Sequence, residues 1–133
     1  MRKLNLYYGL LLLLIFLGTG LYLKFIFRPE NLANTTARME IRASHIYILF
    51  VSLLNIFSSG IHLPLSNKWV QGLERVFRFT LMLAGLLAVT AFLTDHPGTL
   101  LDRKLTFYAV LLSLSSAVLF LIAAFLSSRA NSR

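Results

Sequence analysis

Residues 37–62 read ARMEIRASHIYILFVSLLNIFSSGIH. The apolar run inside this stretch, Ile41 to Ile61, is long enough to cross a bilayer, since about 20 residues at 1.5 Å rise span the hydrocarbon. Yet two arginines, two histidines, an asparagine and several serines are threaded through the quoted stretch. Such groups facing lipid would lack hydrogen-bond partners at a cost of several kcal/mol each, so their arrangement on the helix carries information.

Arg38, Arg42, His45, Ser52 and Ser59 recur at steps of 3, 4 and 7, with Asn55 and His62 slightly off the same line. Those steps define one stripe of an α-helix. The opposite surface offers Ile46, Phe50, Val51, Leu53, Leu54 and Phe57 to lipid or to apolar neighbours. The stripe is therefore expected to face the interior of a bundle, and Arg42, His45, Ser52, Asn55 and Ser59 are its candidate ligand or interior-face residues. Arg38 and Arg42 are expected at headgroup depth. Serine and asparagine also serve as interhelical glue, worth about 0.6–2 kcal/mol per bond, so a packing role competes with a ligand-facing one.

The rest of the chain has the same character. It has 133 residues, of which 57% are hydrophobic and 14% charged. Soluble domains are nearer half apolar and a quarter charged. Mean hydropathy is +0.74. The length allows a single domain. A first block, about Leu4 to Phe27, carries one charge, Lys24. It exceeds the 7–15 residues of a signal-peptide core and lacks an A-x-A site after it, so it reads as a retained helix. Arg28-Pro29-Glu30 ends it, and Thr35 or Thr36 is the expected N-cap of the second helix. A third helix is expected from about Leu73 to Thr94, with Glu74 and Arg78 spaced as an i,i+4 pair in its first turn. A fourth is expected from about Leu100 to Leu126, opened by a capping box at Thr99-Leu100-Leu101-Asp102. A polar tail, 127–133, follows. Short connections make neighbours antiparallel, so the expected fold is an all-α integral membrane protein, an up-down four-transmembrane-helix bundle in one domain. Gly18 and Gly20, Ala84/Ala88 and Ser113/Ala117 are the expected sites of close helix approach.

Formal net charge is +8. The basic residues fall between apolar blocks rather than on one face, which fits loops at anionic headgroups and not nucleic-acid binding. With both termini inside, that side holds Arg2, Lys3, Lys68, Arg75, Arg78, Arg129 and Arg133, and the other holds Lys24, Arg28, Arg38, Arg42, Arg103 and Lys104. The positive-inside rule prefers cytoplasmic termini by that single charge. So narrow a margin is compatible with dual insertion and antiparallel homodimers.

Chemistry is sparsely signalled. With no cysteine there is no disulfide framework, thiolate metal site or cysteine nucleophile. His45 and His62 lie 17 positions apart. That is about 25 Å along a helix, too far for one metal ion. Antiparallel packing brings His45 and His96 to the same membrane face, making them the weak metal candidates. His96 and Asp102 come near the H-x4-D spacing of acyltransferases without matching it, and Asp95 completes that cluster. No motif with a catalytic mechanism attached is present. None of the five acidic residues falls in the middle of an expected helix, unlike the buried glutamate in the first helix of small multidrug antiporters.

Arg42-x-x-His45-Ile46-Tyr47, followed by Leu53-Leu54-Asn55 and Gly60, resembles small four-helix membrane proteins of bacteria that have no assigned activity. The resemblance implies a bacterial inner-membrane location and the four-helix plan, and supplies no reaction. The leading expectation is a non-catalytic accessory or interaction subunit, partnered by the lipid bilayer, another membrane protein or a second copy. The alternative is a binding or permeation protein that uses the polar face of the second helix for a haem, a quinone or a small polar solute.

Overall fold

The computed structural model describes residues 2–28, 33–61, 68–95 and 103–131. The described residues form four helices: α1 (Arg2–Tyr22, continuing as a π-helical turn Leu23–Phe27), α2 (Thr35–Gly60), α3 (Lys68–Thr94) and α4 (Lys104–Asn131). All four are long and apolar enough to cross a membrane.

The boundaries shift for local reasons. Asn34, not a threonine, caps α2: its side-chain oxygen accepts from the Ala37 backbone N–H at 3.0 Å. Helix α2 thus starts six residues before the expected Ile41, and α3 starts five before Leu73. A polar first turn interrupts hydrophobic periodicity without interrupting the helix, so an apolar-run criterion starts both helices late. α4 starts at Lys104 rather than Leu100. Its first turn is capped from the end of α3, where the Asp95 carboxylate accepts from the Thr106 backbone N–H at 3.0 Å and from the Thr106 hydroxyl at 2.6 Å. The expected capping box at residues 99–102 lies outside the described residues.

Side-chain registers give the direction of each helix. Asn5 meets Asn55 and Thr19 meets His45, so α1 and α2 run antiparallel. Tyr8 donates to the Met82 carbonyl at 2.9 Å, and Ser116 donates to the Phe77 carbonyl at 2.8 Å. With the Tyr22–Phe92 ring contact and the Asp95–Thr106 cap as second register points, these contacts set α3 parallel to α1 and antiparallel to α4. The main interfaces run in chain order, α1 on α2, α2 on α3 and α3 on α4, while α1 and α4 make no substantial contact. The up-down order is present, but as two hairpins joined through α2 and α3 rather than as a ring closed by its outer helices.

Of the two expected glycines, Gly20 lies against the His45 ring of α2, while the tightest approaches occur at two others, Gly9 and Gly85. A Cβ on Gly9 would sit 2.8 Å from Ile56 Cγ1 and 3.0 Å from the Ile56 backbone nitrogen. One on Gly85 would meet Leu12 Cδ1 at 2.7 Å and the Tyr8 ring at 3.0 Å. Gly18 faces open space, so it does not mediate helix approach. Ala84 and Ala88 are buried at the centre of α3, and Ser113 is buried on α4.

Candidate functional site

The buried stripe of α2 passes through Ala37, Glu40, Ile41, Ser44, Ile48, Val51, Ser52, Asn55 and Ser58. It is rotated from the expected one, and Val51, expected on the outer surface, is buried. Ile46, Phe50, Leu53 and Phe57 are exposed. The five candidate residues therefore separate into two groups with different surroundings.

Ser52 and Asn55 are fully buried in the α1–α2 interface. Ser52 donates to the Gly9 carbonyl at 2.9 Å. The Asn55 amide donates to the Val51 carbonyl of its own helix at 2.9 Å while its oxygen accepts from Asn5 Nδ2 at 3.0 Å. Ser59 donates to the Ile56 carbonyl at 2.6 Å, within its own helix. The polar atoms of Ser52 and Asn55 thus join α1 to α2 in the manner of interhelical glue, while Ser59 is satisfied within α2. At the same level, inferred from the Tyr8–Met82 and Phe77–Ser116 registers, α3 carries a buried ion pair. Both Arg78 Nε (3.0 Å) and Nη2 (2.9 Å) donate to Glu74 Oε1. Arg78 is 1% exposed. Because α3 starts at Lys68, this pair lies in its second and third turns, deeper than the first-turn position the sequence suggests. Asn5 Oδ1 and Arg78 Nη1 are buried and have no hydrogen-bond partner among the described residues.

Arg42 and His45 belong to the other group, at the opposite end of α2. The His45 ring stacks on Phe16, with centroids 4.1 Å apart and planes 14° from parallel. Its Nδ1 lies 2.9 Å from Thr19 Oγ1. The Thr19 hydroxyl also reaches the Ile15 and Phe16 carbonyls at 3.0 and 2.9 Å. A hydroxyl has one proton, and these carbonyls can only accept. We therefore assign that proton to the helix and Nδ1–H to the histidine, which leaves Nε2 as the free ring nitrogen. The ring edge approaches Gly20, where a Cβ would lie 3.3 Å from Cε1 and 3.5 Å from Nε2. A methyl at 20 would therefore push the ring edge away by a few tenths of an ångström.

Around that edge is a cleft of about 240 Å³ between the end of α1 and the start of α2. It is lined by Gly20, Leu23, Lys24, Phe27, Arg28, Arg38, Ile41, Arg42 and His45. Four of these side chains are cationic and one is an imidazole; none of the described lining residues is acidic. The π-helical turn, closed by the Arg28 N–H donating to the Leu23 carbonyl, forms the α1 wall. π-turns of this kind are frequent at functional sites.

Comparison with known protein families, curated proteins and solved structures finds no match. The cleft therefore has to be read from its own geometry.

His96 lies outside the described residues, as does His62. Among the described residues no cluster of three or more His, Cys, Asp or Glu forms. Asp95, the one described member of the expected acidic–histidine cluster, is engaged as the α4 cap. Periodicity on α2 alone could not reveal Lys24, Arg28 and Thr19, because they belong to another helix. The available signal for Lys24 and Arg28 was their place within five residues of Pro29, opposite the arginines that open α2, and Thr19 carried none. Asn5 was legible only as a lone polar residue four positions before Gly9 in an apolar helix.

Proposed function

We propose that this protein is a non-catalytic binding protein of the bacterial inner membrane, crossing it four times, with its site in the cleft lined by Arg42 and His45. The observation that carries the reading is the convergence of four cationic side chains and His45 from two helices on one hollow. Loops that merely anchor a protein at headgroups need no such convergence. An apolar exterior surrounding buried polar residues supports membrane insertion, the reverse of a soluble surface. The ion pair bears on orientation. Arg78 is neutralised by Glu74 inside the bundle, and without it each side holds six basic residues, so the charge count prefers neither topology.

The cleft's volume lies below the roughly 300–1,000 Å³ of drug-sized sites, which favours a small polar group over a haem or a quinone ring system. Purification from native membranes in mild detergent, followed by mass spectrometry of retained small molecules, tests the reading. One non-protein species per chain, lost in Arg42→Ala and His45→Ala, is expected. Protein that retains nothing in its cleft contradicts it. A Soret band lost in His45→Ala would instead favour haem.

An interaction subunit is the second reading, favoured by the lack of substantial contact between α1 and α4. A stoichiometric membrane-protein partner, or a second copy, seated between these outer helices would support it. A clean monomer would count against it.

A further inference from the structure

The position of the cleft along the helices and its unspent hydrogen-bond donors narrow the ligand. α1 and α2 each offer a 26-residue span, about 39 Å long against a hydrocarbon thickness of about 30 Å. Their end turns therefore extend into the headgroup layer, which places Lys24 and Arg28 at the end of α1 and Arg38 at the start of α2 at that level. Arg42 lies seven residues past the start of α2 and His45 ten, about 10 and 15 Å inward. The cleft descends from a cationic rim to a floor holding an arginine and an imidazole.

The guanidinium groups of Arg28 and Arg42 have no hydrogen bond or ion pair among the described residues, and both side chains are exposed. Lys24 is held over the Phe25 ring, 5.0 Å from its centroid. Each guanidinium presents five donors in a planar fork matched to carboxylate or phosphate oxygens. A carboxylate supplies one charge. A phosphomonoester supplies about −1.5 to −2 and three strong acceptor oxygens, which suits two arginine forks on facing helices, and its monoanionic form keeps one P–OH that can donate to the imidazole below them. Leu23, Phe27 and Ile41 give the same cleft an apolar wall for a glycerol or acyl segment.

Resting on the binding reading above, we infer that the cleft takes a phosphomonoester group, with Arg28 and Arg42 donating to its oxygens from opposite sides and His45 Nε2 on the floor accepting from its P–OH. Such a group can come from a membrane lipid or from free phosphate.

Native mass spectrometry of the full chain in mild detergent tests this, with dioleoyl phosphatidic acid, dioleoyl phosphatidylcholine and inorganic phosphate as probes. Phosphatidic acid should be retained about tenfold better than phosphatidylcholine, and Arg28→Gln and Arg42→Gln should each remove most of that preference. Arg2→Gln, at the far end of α1, should leave it intact. If inorganic phosphate displaces the lipid at matching concentration, the phosphate itself is the recognised group and the lipid only one carrier. If phosphate fails to compete, the lipid is the source. Equal retention of both lipids, insensitive to Arg28 and Arg42, overturns the inference. Retention of an uncharged solute that is lost in Arg42→Gln would overturn the phosphate assignment and leave the binding site standing. Helical circular dichroism matching the parent verifies that the variants are folded, because both arginines are exposed and make no packing bond.

Discussion

Asn5 and Asn55 meet side chain to side chain in the α1–α2 interface, both fully buried, with the Asn5 amide donating to the Asn55 oxygen at 3.0 Å. The contact joins the first turn of one apolar helix to the last turns of its partner. It belongs to packing, far from the cationic cleft at the other end of α2. The polar residues of this helix therefore divide between two tasks.

Asn55→Leu should destabilise the bundle by about 1–2 kcal/mol, through the lost interhelical bond and the Asn5 amide left unpaired. Adding Asn5→Leu should cost less than the sum of the single changes, because no orphaned amide then remains. Unfolding titrations in mixed detergent micelles measure both. Ligand retention should be unchanged in either variant.

Gly9→Ala and Gly18→Ala should have opposite signs. At Gly9 the new methyl presses on the Ile56 backbone, forcing α1 from α2 at about 1–3 kcal/mol. At Gly18 the methyl meets nothing, and relief of glycine's backbone entropy should stabilise by up to about 1 kcal/mol. Thermal denaturation in detergent separates the two.

Glu74→Ala should be more damaging than the pair replacement Glu74→Gln with Arg78→Met. Removing the carboxylate alone leaves a buried guanidinium without its counter-charge, a loss on the order of 3–5 kcal/mol in protein interiors. The double change removes both charges from the bundle and should recover much of that loss. The same unfolding titration reads the difference.

Thr19→Val keeps the side chain's shape but removes the acceptor for His45 Nδ1–H. Stability should fall by no more than about 1 kcal/mol, with Phe16 still stacked on the ring. Ligand retention should fall further than stability, because the ring's tautomer and tilt are no longer fixed. A variant that binds normally would show that Thr19 does not position the histidine.

Much of this architecture was legible beforehand. Apolar run length located four helices, and the steps between polar residues put Ser52 and Asn55 inside. The rotation of the stripe was not legible. Arg42 lies on a helical line with His45 and Ser52, yet a long cationic side chain near a helix end can turn outward, whereas short Ser44 and Ser58 stay buried. Nor did the sequence mark Gly9 and Gly85 as contact points over Gly18. That choice depends on which face of α1 meets α2, and a uniformly leucine-rich helix does not encode it. The cleft escaped notice because its lining comes from two helices whose residues are adjacent only after folding.

With no native cysteine among its 133 residues, the protein permits a direct test by single-cysteine labelling in sealed vesicles. Arg42→Cys should react with a membrane-impermeant maleimide from the same side as Lys104→Cys and from the side opposite Lys68→Cys. Leu83→Cys and Leu114→Cys, in mid-helix, should stay unlabelled until the membrane is dissolved. Free labelling at Leu83 or Leu114 in intact vesicles, or an Arg42→Cys unreactive from both sides, would contradict four membrane spans with a water-reachable cationic cleft at one end.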